Sequence, residues 1–489
     1  MIFWIILGLY ILALSYIFLF SLGQLHLVLK YLQSLKKGEG RNTLVQDPAI
    51  WPMVTVQLPI YNEKYVVERL LESIVALEYP EGKLEIQILD DSTDETSELL
   101  KDIIKNIKSP YSIHHIQRTL RSGYKAGALG EALKKARGEF IAIFDSDFIP
   151  KPDFLYNTIP HFDENTGVVQ TRWGHLNEDY SLLTRLQAFG LDAHFTVEQG
   201  GRNFSGSFIN FNGTGGVWRK KCIEDAGGWS DDTLTEDLDL SYRAQLKGWK
   251  FRYLENCVAP AELPILMPAI KSQQYRWNKG AAETARKNLG KVFRAKLKLS
   301  TKMHAFFHLL NSMVFICLLL ASVLSVPVLY YKVQYPEYNL LFYIGSIFLL
   351  GFFSIAFFYL VSSKRLHPKN GVLYFLRTFP MFLLVSMGLS FHNGLAVFEG
   401  LIGKKTPFVR TPKFNLKNNK DSWKTNKYIK LKFSFSTLME AFLAIYFSLA
   451  IVYGIVKEEP GLLIFHFMLA LGFGLVFVQS VKPLRNAAN

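Results

Sequence analysis

The apolar positions fall into two patterns. Residues 2–23 (IFWIILGLYILALSYIFLFSLG) run without a charge. That is enough helix to cross a hydrocarbon core, which takes about 20 apolar residues. A cleaved signal peptide would open on basic residues and close on a small-residue cleavage site. The start MIFW has no basic residue and no such site closes the run, so an uncleaved transmembrane helix over residues 1–28 is expected. Runs of spanning length recur at about 305–331, 340–361, 435–456 and 461–481. Residues 45–300 follow the second pattern, short β-rich runs between helical ones. VTVQLPI (54–60), LEIQIL (84–89) and FIAIF (140–144) read as strands, whereas VVERLLESIVALE and SELLKDIIKNI repeat apolar residues at helical spacing. Strands alternating with helices predict βαβ units and a mostly parallel, Rossmann-like sheet. The expected fold class is an α/β domain inserted between transmembrane α-helices.

Charge orients these elements. Lys30, Lys36, Lys37 and Arg41 follow the first apolar run, and Lys364, Arg365 and Lys369 follow the third. Residues 403–432 hold ten Lys or Arg and one acid, Asp421. The positive-inside bias places these segments and the 45–300 domain in the cytoplasm. The apolar segment 372–403 then begins and ends on the same side, is too short for two crossings, and is interrupted by Pro380, His392, Asn393 and Glu399. An interfacial or re-entrant helix is therefore expected there, giving five spans, with a sixth as the alternative. The membrane domain covers 305–489, with four spans and a cytoplasmic loop at 403–432.

Composition removes other classes. With 489 residues, 49% hydrophobic and 20% charged, the chain is neither disordered nor a disulfide scaffold. Cys222, Cys257 and Cys317 are too scattered for a metal knuckle and read as small buried hydrophobes. The net charge of +14 is largely juxtamembrane, so membrane lipid accounts for it and nucleic acid does not.

The chemistry sits at the strand ends, where open α/β sheets bind ligands. The first strand closes on PIYNE (59–63), the second on DDSTD (90–94) and the third on DSD (145–147). One such acid is ordinarily a helix cap or turn residue, as Asp91 or Asp94 could be. Three acidic strand ends in one crevice repel unless a cation joins them, and a hard divalent ion with substrate phosphates suits them. RSGYKAGAL (121–129) adds Lys125 near a helix start, between glycines that allow close backbone approach, a diphosphate arrangement. No GxxxxGK[ST] or strand-following GxGxxG occurs. FNGTGGVWR (211–219) follows, and Thr235-Glu236-Asp237 opens a helix where capping by Thr235 and a held base are compatible roles. QQYRW (273–277) precedes the membrane runs, with a Trp suited to a sugar face and an Arg suited to phosphate.

DDSTD, KAGAL, DSD, TED and QxxRW, in this order and followed by membrane helices, resemble the membrane-embedded family 2 glycosyltransferases of GT-A fold. VQLPIYNE, LDDSTDET, GYKAGAL, FNGTGGVWR and RAQLKGWKF are most similar to the cellulose synthase-like mannan and xyloglucan-backbone synthases. The resemblance implies that Tyr61, Glu63, Asp90, Asp91, Lys125 and Asp145 hold the nucleotide and its phosphates, with Asp90 and Asp91 not separable. It implies Mg2+ or Mn2+ on Asp145 and Asp147, Asp237 as general base, and Phe211, Gly213, Thr214, Glu236, Gln273, Arg276 and Trp277 around donor and acceptor. TPFVRTPK (406–413) resembles the loop that covers the nucleotide, with Arg410 unassigned. The implied reaction is inverting transfer of a hexose from UDP-glucose or GDP-mannose to a growing β-glycan, exported through the enzyme's own helices. A membrane lipid glycosyltransferase is the alternative, and accessory export subunits are partners left open.

Overall fold

The computed structural model describes residues 1–38, 47–415, 426–429 and 433–488. Seven strands make the central sheet: β1 (Val54–Ile60), β2 (Leu84–Asp90), β3 (Ser112–Gln117), β4 (Phe140–Ile143), β5 (Thr166–His175), β6 (Gly216–Arg219) and β7 (Lys250–Ala261). Their order is β3-β2-β1-β4-β6-β5-β7. β1 pairs in parallel with β2 and β4, β2 with β3, and β5 with β7, whereas β6 runs antiparallel to β4 and β5. The sheet is mostly parallel, as the alternation predicts, with one reversed strand. That reversal has a use. Gly216 at the start of β6 pairs with Ile143 at the end of β4, so the FNGTGG loop before β6 arrives beside the DSD turn.

The three strands visible in the sequence are the central ones. β1, β2 and β4 are buried almost throughout, and strands covered on both faces need continuous apolar runs. Val56, Leu58, Ile86 and Ile88 pack with Leu70, Leu71 and Ile74 of the helix Val67–Val75 on one face. Ile141 and Ile143 pack with Leu129, Trp218 and Leu240 on the other. β3 (SIHHIQ) escaped the hydrophobic pattern because it lies at the sheet edge and is largely exposed or half-buried.

Among the described residues, six helices are long and apolar enough to cross a membrane by length and composition: Ile2–Lys37, Met313–Gln334, Ser346–Leu366, Gly371–Gly388, Phe435–Val456 and Pro460–Leu484. The sequence pattern gave five such runs. The additional one lies within 372–403, which divides into the helices Gly371–Gly388 and Ser390–Leu401. Both ends of Gly371–Gly388 reach the α/β domain and the helix that leaves it. Tyr374 donates to Glu178 at 3.0 Å, while just beyond the other end Leu389 packs with Met267 and Ile270. Its later part also crosses the last helix tightly. A methyl group on Gly472 would sit 3.2 Å from the Gly388 nitrogen, the close crossing that small residues permit. The run expected at 305–331 begins later, at Met313, after a separate helix Leu299–Leu309. Tyr16 donates to the Leu310 carbonyl at that break, at 2.6 Å. Cys222, Cys257 and Cys317 are buried free thiols.

Candidate active site

A cavity of about 200 Å³ opens at the carboxyl ends of β1, β2 and β4. Tyr61, Glu63, Asp91, Lys125, Asp145, Asp147, Gly213, Glu236, Asp237, Gln273, Arg276 and Trp277 line it. Seven motifs spread over more than two hundred positions thus converge on one space. Three predicted residues do not reach it. Asp90 is buried, accepts from the Ser92 amide, Ser97 Oγ and Gln117 Nε2, and lies 3.0 Å from His115 Nε2. Burial would raise its carboxyl, but these partners hold it well below the usual range. It fastens β2 to β3 and to the helix Thr96–Asn106, leaving Asp91 as the acid of the pair that faces the cavity. Phe211 is buried against Trp218. Thr214 is also buried, and its hydroxyl accepts the Asp145 amide at 2.9 Å, so it shapes the DSD turn from behind.

The end of the cavity at Tyr61 and Asp91 contains two arginines that the motifs did not single out. Arg118 grips both oxygens of Asp91, one of them at 2.8 Å from Nε. The Arg121 guanidinium lies 3.4 Å from the Tyr61 ring centroid, a stacked cation–aromatic pair. The available signal was two more basic residues within the seven before Lys125.

Cations already meet each carboxylate at the centre. Lys125 Nζ is 2.6 Å from Asp145 and 2.9 Å from the Gly213 carbonyl. Burial alone would lower this ammonium, but Asp145 and Glu236 raise it above its ordinary value. Lys413 Nζ sits 2.7 Å from Asp147, 3.0 Å from Ser146 Oγ and 3.5 Å from Glu63, and Arg410 reaches Glu63 at 2.5 Å. Arg276 donates to Thr411 at 2.8 Å and stacks over Phe408. The predicted covering segment therefore lies across the cavity, and Arg410 gains a partner. Glu262 anchors its end by accepting the Phe414 and Asn415 amides. The remainder of 403–432, at 416–425 and 430–432, lies outside the described residues.

The other end is built differently. The helix Glu236–Leu246 begins directly after Thr235, whose side chain makes no cap hydrogen bond. Asp237 Oδ1 instead accepts the Leu238 amide at 2.8 Å. Two glycines bring this helix start into place. Gly280 lets the helix Met267–Arg294 close on it, since an added Cβ would lie 2.5 Å from Thr235 Cγ2. Gly213 has φ +81, and a Cβ there would lie 3.0 Å from Asp237 Oδ2. Burial, then the neighbouring Glu236 charge, push Asp237 up to about 7, with Lys125 opposing. Burial raises Glu236 as well.

Among the described residues no group of three or more His, Cys, Asp and Glu converges as an ion cage. Asp145 and Asp147 offer two hard oxygen donors. That set fits Mg2+ or Mn2+ when diphosphate and water complete the shell.

Residues 55–223 match the family model described as glycosyl transferase family 2, and 140–363 match glycosyl transferase family group 2. Glucomannan 4-beta-mannosyltransferase 9 of Arabidopsis thaliana is 34% identical over 411 residues, 79% of this chain and 72% of that protein. The chain belongs to glycosyl transferase family 2. A probable glucomannan 4-beta-mannosyltransferase 4 of Oryza sativa subsp. japonica is 41% identical over 305 residues, 60% of this chain and 53% of its own. For this and three further plant mannosyltransferases the match spans 50 to 58% of their length. A mannosyltransferase of Pyrobaculum calidifontis, solved with GDP-Man and Mn2+, superposes with TM-score 0.53 at 19% identity, covering 81% of this chain and all of that one. The α/β domain of this family 2 glycosyltransferase is thus a GT-A fold. Its cavity has a cationic wall, a paired-aspartate turn, and a carboxylate, Asp237, raised to about 7.

Proposed function

We propose that this glycosyltransferase moves a hexose, with inversion, from GDP-mannose onto a growing β-glycan. The observation that carries the reading is the single cavity joining the DSD turn, Lys125 and the proton-accepting Asp237. GDP-mannose is preferred over UDP-glucose because the plant relatives are named as glucomannan mannosyltransferases.

Each residue then has a task. Tyr61, Asp91 and Arg121 frame the nucleoside, and Lys125 meets the diphosphate with its positive charge. Asp145 and Asp147 would hold Mg2+ or Mn2+, which supplies electrostatic stabilisation of the leaving diphosphate when bound. Asp237 takes the proton of the acceptor hydroxyl as that oxygen attacks the anomeric carbon from the face opposite the diphosphate. Trp277, 37% exposed, offers an aromatic face to an acceptor sugar. Lys413 and Arg410 must leave Asp147 and Glu63 when the donor enters, and then pair with its phosphates, so 406–415 acts as a cover. Residues 45–300 and 403–432 face the cytoplasm, and Gly371–Gly388 re-enters from that side, in keeping with its contacts to the α/β domain and the adjoining helix at both ends. The product is passed outward through the membrane helices.

Purified protein in nanodiscs given radiolabelled nucleotide sugars one at a time tests the reading. GDP-mannose should label a long, water-soluble or precipitable glycan. Label soluble in organic solvent would make the product a glycolipid, and label from UDP-glucose alone would change the donor.

A further inference from the structure

The segment before the FNGTGG loop changes its helical form at one place. It runs as α-helix over Leu182–Ala193, widens into a π-turn over His194–Glu198, and resumes as α-helix over Gln199–Ser205. A π-turn has poorer backbone geometry and is concentrated at functional sites. This one carries a chain of hydrogen bonds that the transfer reaction has not yet used.

Asn212 Nδ2 lies 3.0 Å from His194 Nε2. Gln199 Nε2 donates to Asn212 Oδ1 at 3.0 Å, which orients the amide. Nδ2 is therefore the donor toward the ring, and His194 Nε2 is the acceptor. The ring proton then belongs on Nδ1, 2.9 Å from Glu198 Oε2. The other Glu198 oxygen receives Arg202 Nε and Nη2 at 3.1 and 2.9 Å. Arg202, almost wholly buried, uses Nη1 on the His304 carbonyl at 3.3 Å. Burial would raise Glu198, but Arg202 and His194 more than offset it and hold the carboxyl well below its ordinary range.

At its other end the chain reaches catalytic groups. The Asn212 amide donates to Gln170 Oε1 at 2.9 Å. The next carbonyl, of Gly213, accepts Lys125 Nζ, and the next hydroxyl, of Thr214, accepts the Asp145 amide. A shift of Asn212 moves both.

We propose that His194 is a positioning residue for sugar transfer. Through Nε2 it fixes Asn212, and through Asn212 the Gly213 carbonyl and Thr214 hydroxyl that set Lys125 and Asp145 against the donor diphosphate. The inference rests on the reading of those two residues as the diphosphate site.

The two ring nitrogens can be replaced separately. In His194→Gln the amide oxygen falls near the Nε2 position and can still accept from Asn212, while the bond to Glu198 is lost. In His194→Asn the amide falls near Nδ1 and can still donate to Glu198, while Asn212 Nδ2 loses its acceptor. A merely structural histidine favours the Asn variant, because the buried carboxylate stays satisfied. Positioning favours the Gln variant. We expect His194→Gln to keep kcat within about threefold of wild type. His194→Asn should lower kcat about tenfold and weaken Mn2+-dependent nucleoside diphosphate binding several-fold by calorimetry, the scale of one lost buried hydrogen bond. Asn212→Ala, which leaves His194 and Glu198 intact, should show the same loss, and adding His194→Asn to it should cost nothing further. It also decides the question if His194→Asn fails to fold. Equal kcat in the Gln and Asn variants, a better Asn variant, or additive losses would overturn the proposal. Asp145→Asn is the control for the underlying site: unchanged nucleotide binding there would remove the diphosphate reading itself, whatever the His194 variants do.

Discussion

The two ends of the cavity are built on opposite electrostatic terms. At the diphosphate end each acid has a cation: Asp91 has Arg118, Asp145 has Lys125, Asp147 has Lys413 and Glu63 has Arg410. At the acceptor end Glu236 and Asp237 lie side by side, and both carboxyls are raised, first by burial. Matched charges can exchange partners, which suits a place where an anionic donor and its cation would come and go. A crowded carboxylate such as Asp237, raised to about 7, can hold a proton close to neutral pH, which suits acid–base work. On the proposed reading, binding and proton transfer are separated by charge balance within one cavity.

The sharpest way to break this separation is to remove the base and leave the binding end intact. Asp237→Asn should lower transfer by about 10²–10⁴-fold, the usual worth of a general base. Calorimetric affinity for Mn2+ and nucleoside diphosphate should stay near wild type, because none of the four ion pairs at the other end involves Asp237. Near-wild-type glycan synthesis would remove the base assignment, and a parallel loss of binding would dissolve the division between the ends.

Titration sharpens the same point. A base must be ionised to accept a proton, so with Asp237 near 7 the rate should fall about tenfold per pH unit below that value and level off above it. Glu236 is the second-largest cause of the rise. Glu236→Gln removes that negative charge, so its acid limb should move to lower pH. A limb that stays in place would assign the rise to burial alone.

The matched end is tested by taking away a cation. Lys413 stands 2.7 Å from Asp147, where the proposed divalent ion would also be held. Lys413→Met leaves that carboxylate unpaired, and Mn2+ affinity without nucleotide should increase several-fold in a calorimetric titration. Unchanged or weaker Mn2+ binding would mean that Lys413 does not compete for the site.

What the sequence disclosed follows from how local each signal is. The ends of β1, β2 and β4 were legible because an apolar run stopped at an acid within a few residues. Their number is what raised the expectation of a cation and a diphosphate there. Lys413 on Asp147 and Arg410 on Glu63 were not legible, since those partners are hundreds of residues apart and meet only when the segment after the membrane-facing helices folds back. Asp90 and Asp91 are adjacent acids, and only the pairing of β2 with β3 turns one inward to Ser97 and Gln117. The His194 chain was invisible for the same reason as β3. Its residues are polar and interrupt no hydrophobic pattern. Gly371–Gly388 was legible as an apolar segment, whereas the bond from Tyr374 to Glu178 was not, because it joins stretches far apart in the chain.

The smallest expected effect concerns stability and carries a sign. In the folded protein Asp237 is raised to about 7, whereas an unfolded aspartate titrates near 3.9. Between those values the folded state keeps a proton that the unfolded state has released. The unfolded chain then binds fewer protons, so stability falls as pH rises through this window. Above about 7 the ionised carboxylate stands beside Glu236 at its full cost. Asn cannot ionise and is nearly the same size, so Asp237→Asn escapes this fall. The variant should melt within error of wild type near the bottom of the window and above it at pH 8. A difference of about three units corresponds to at most about 4 kcal/mol, so the gap at pH 8 is expected to be several degrees. Thermal scans of both proteins at several pH values between 5 and 8 would follow the difference as it opens. A gap that is constant with pH would assign the gain to packing, and a variant less stable at every pH would mean that the acceptor end is as well matched as the diphosphate end.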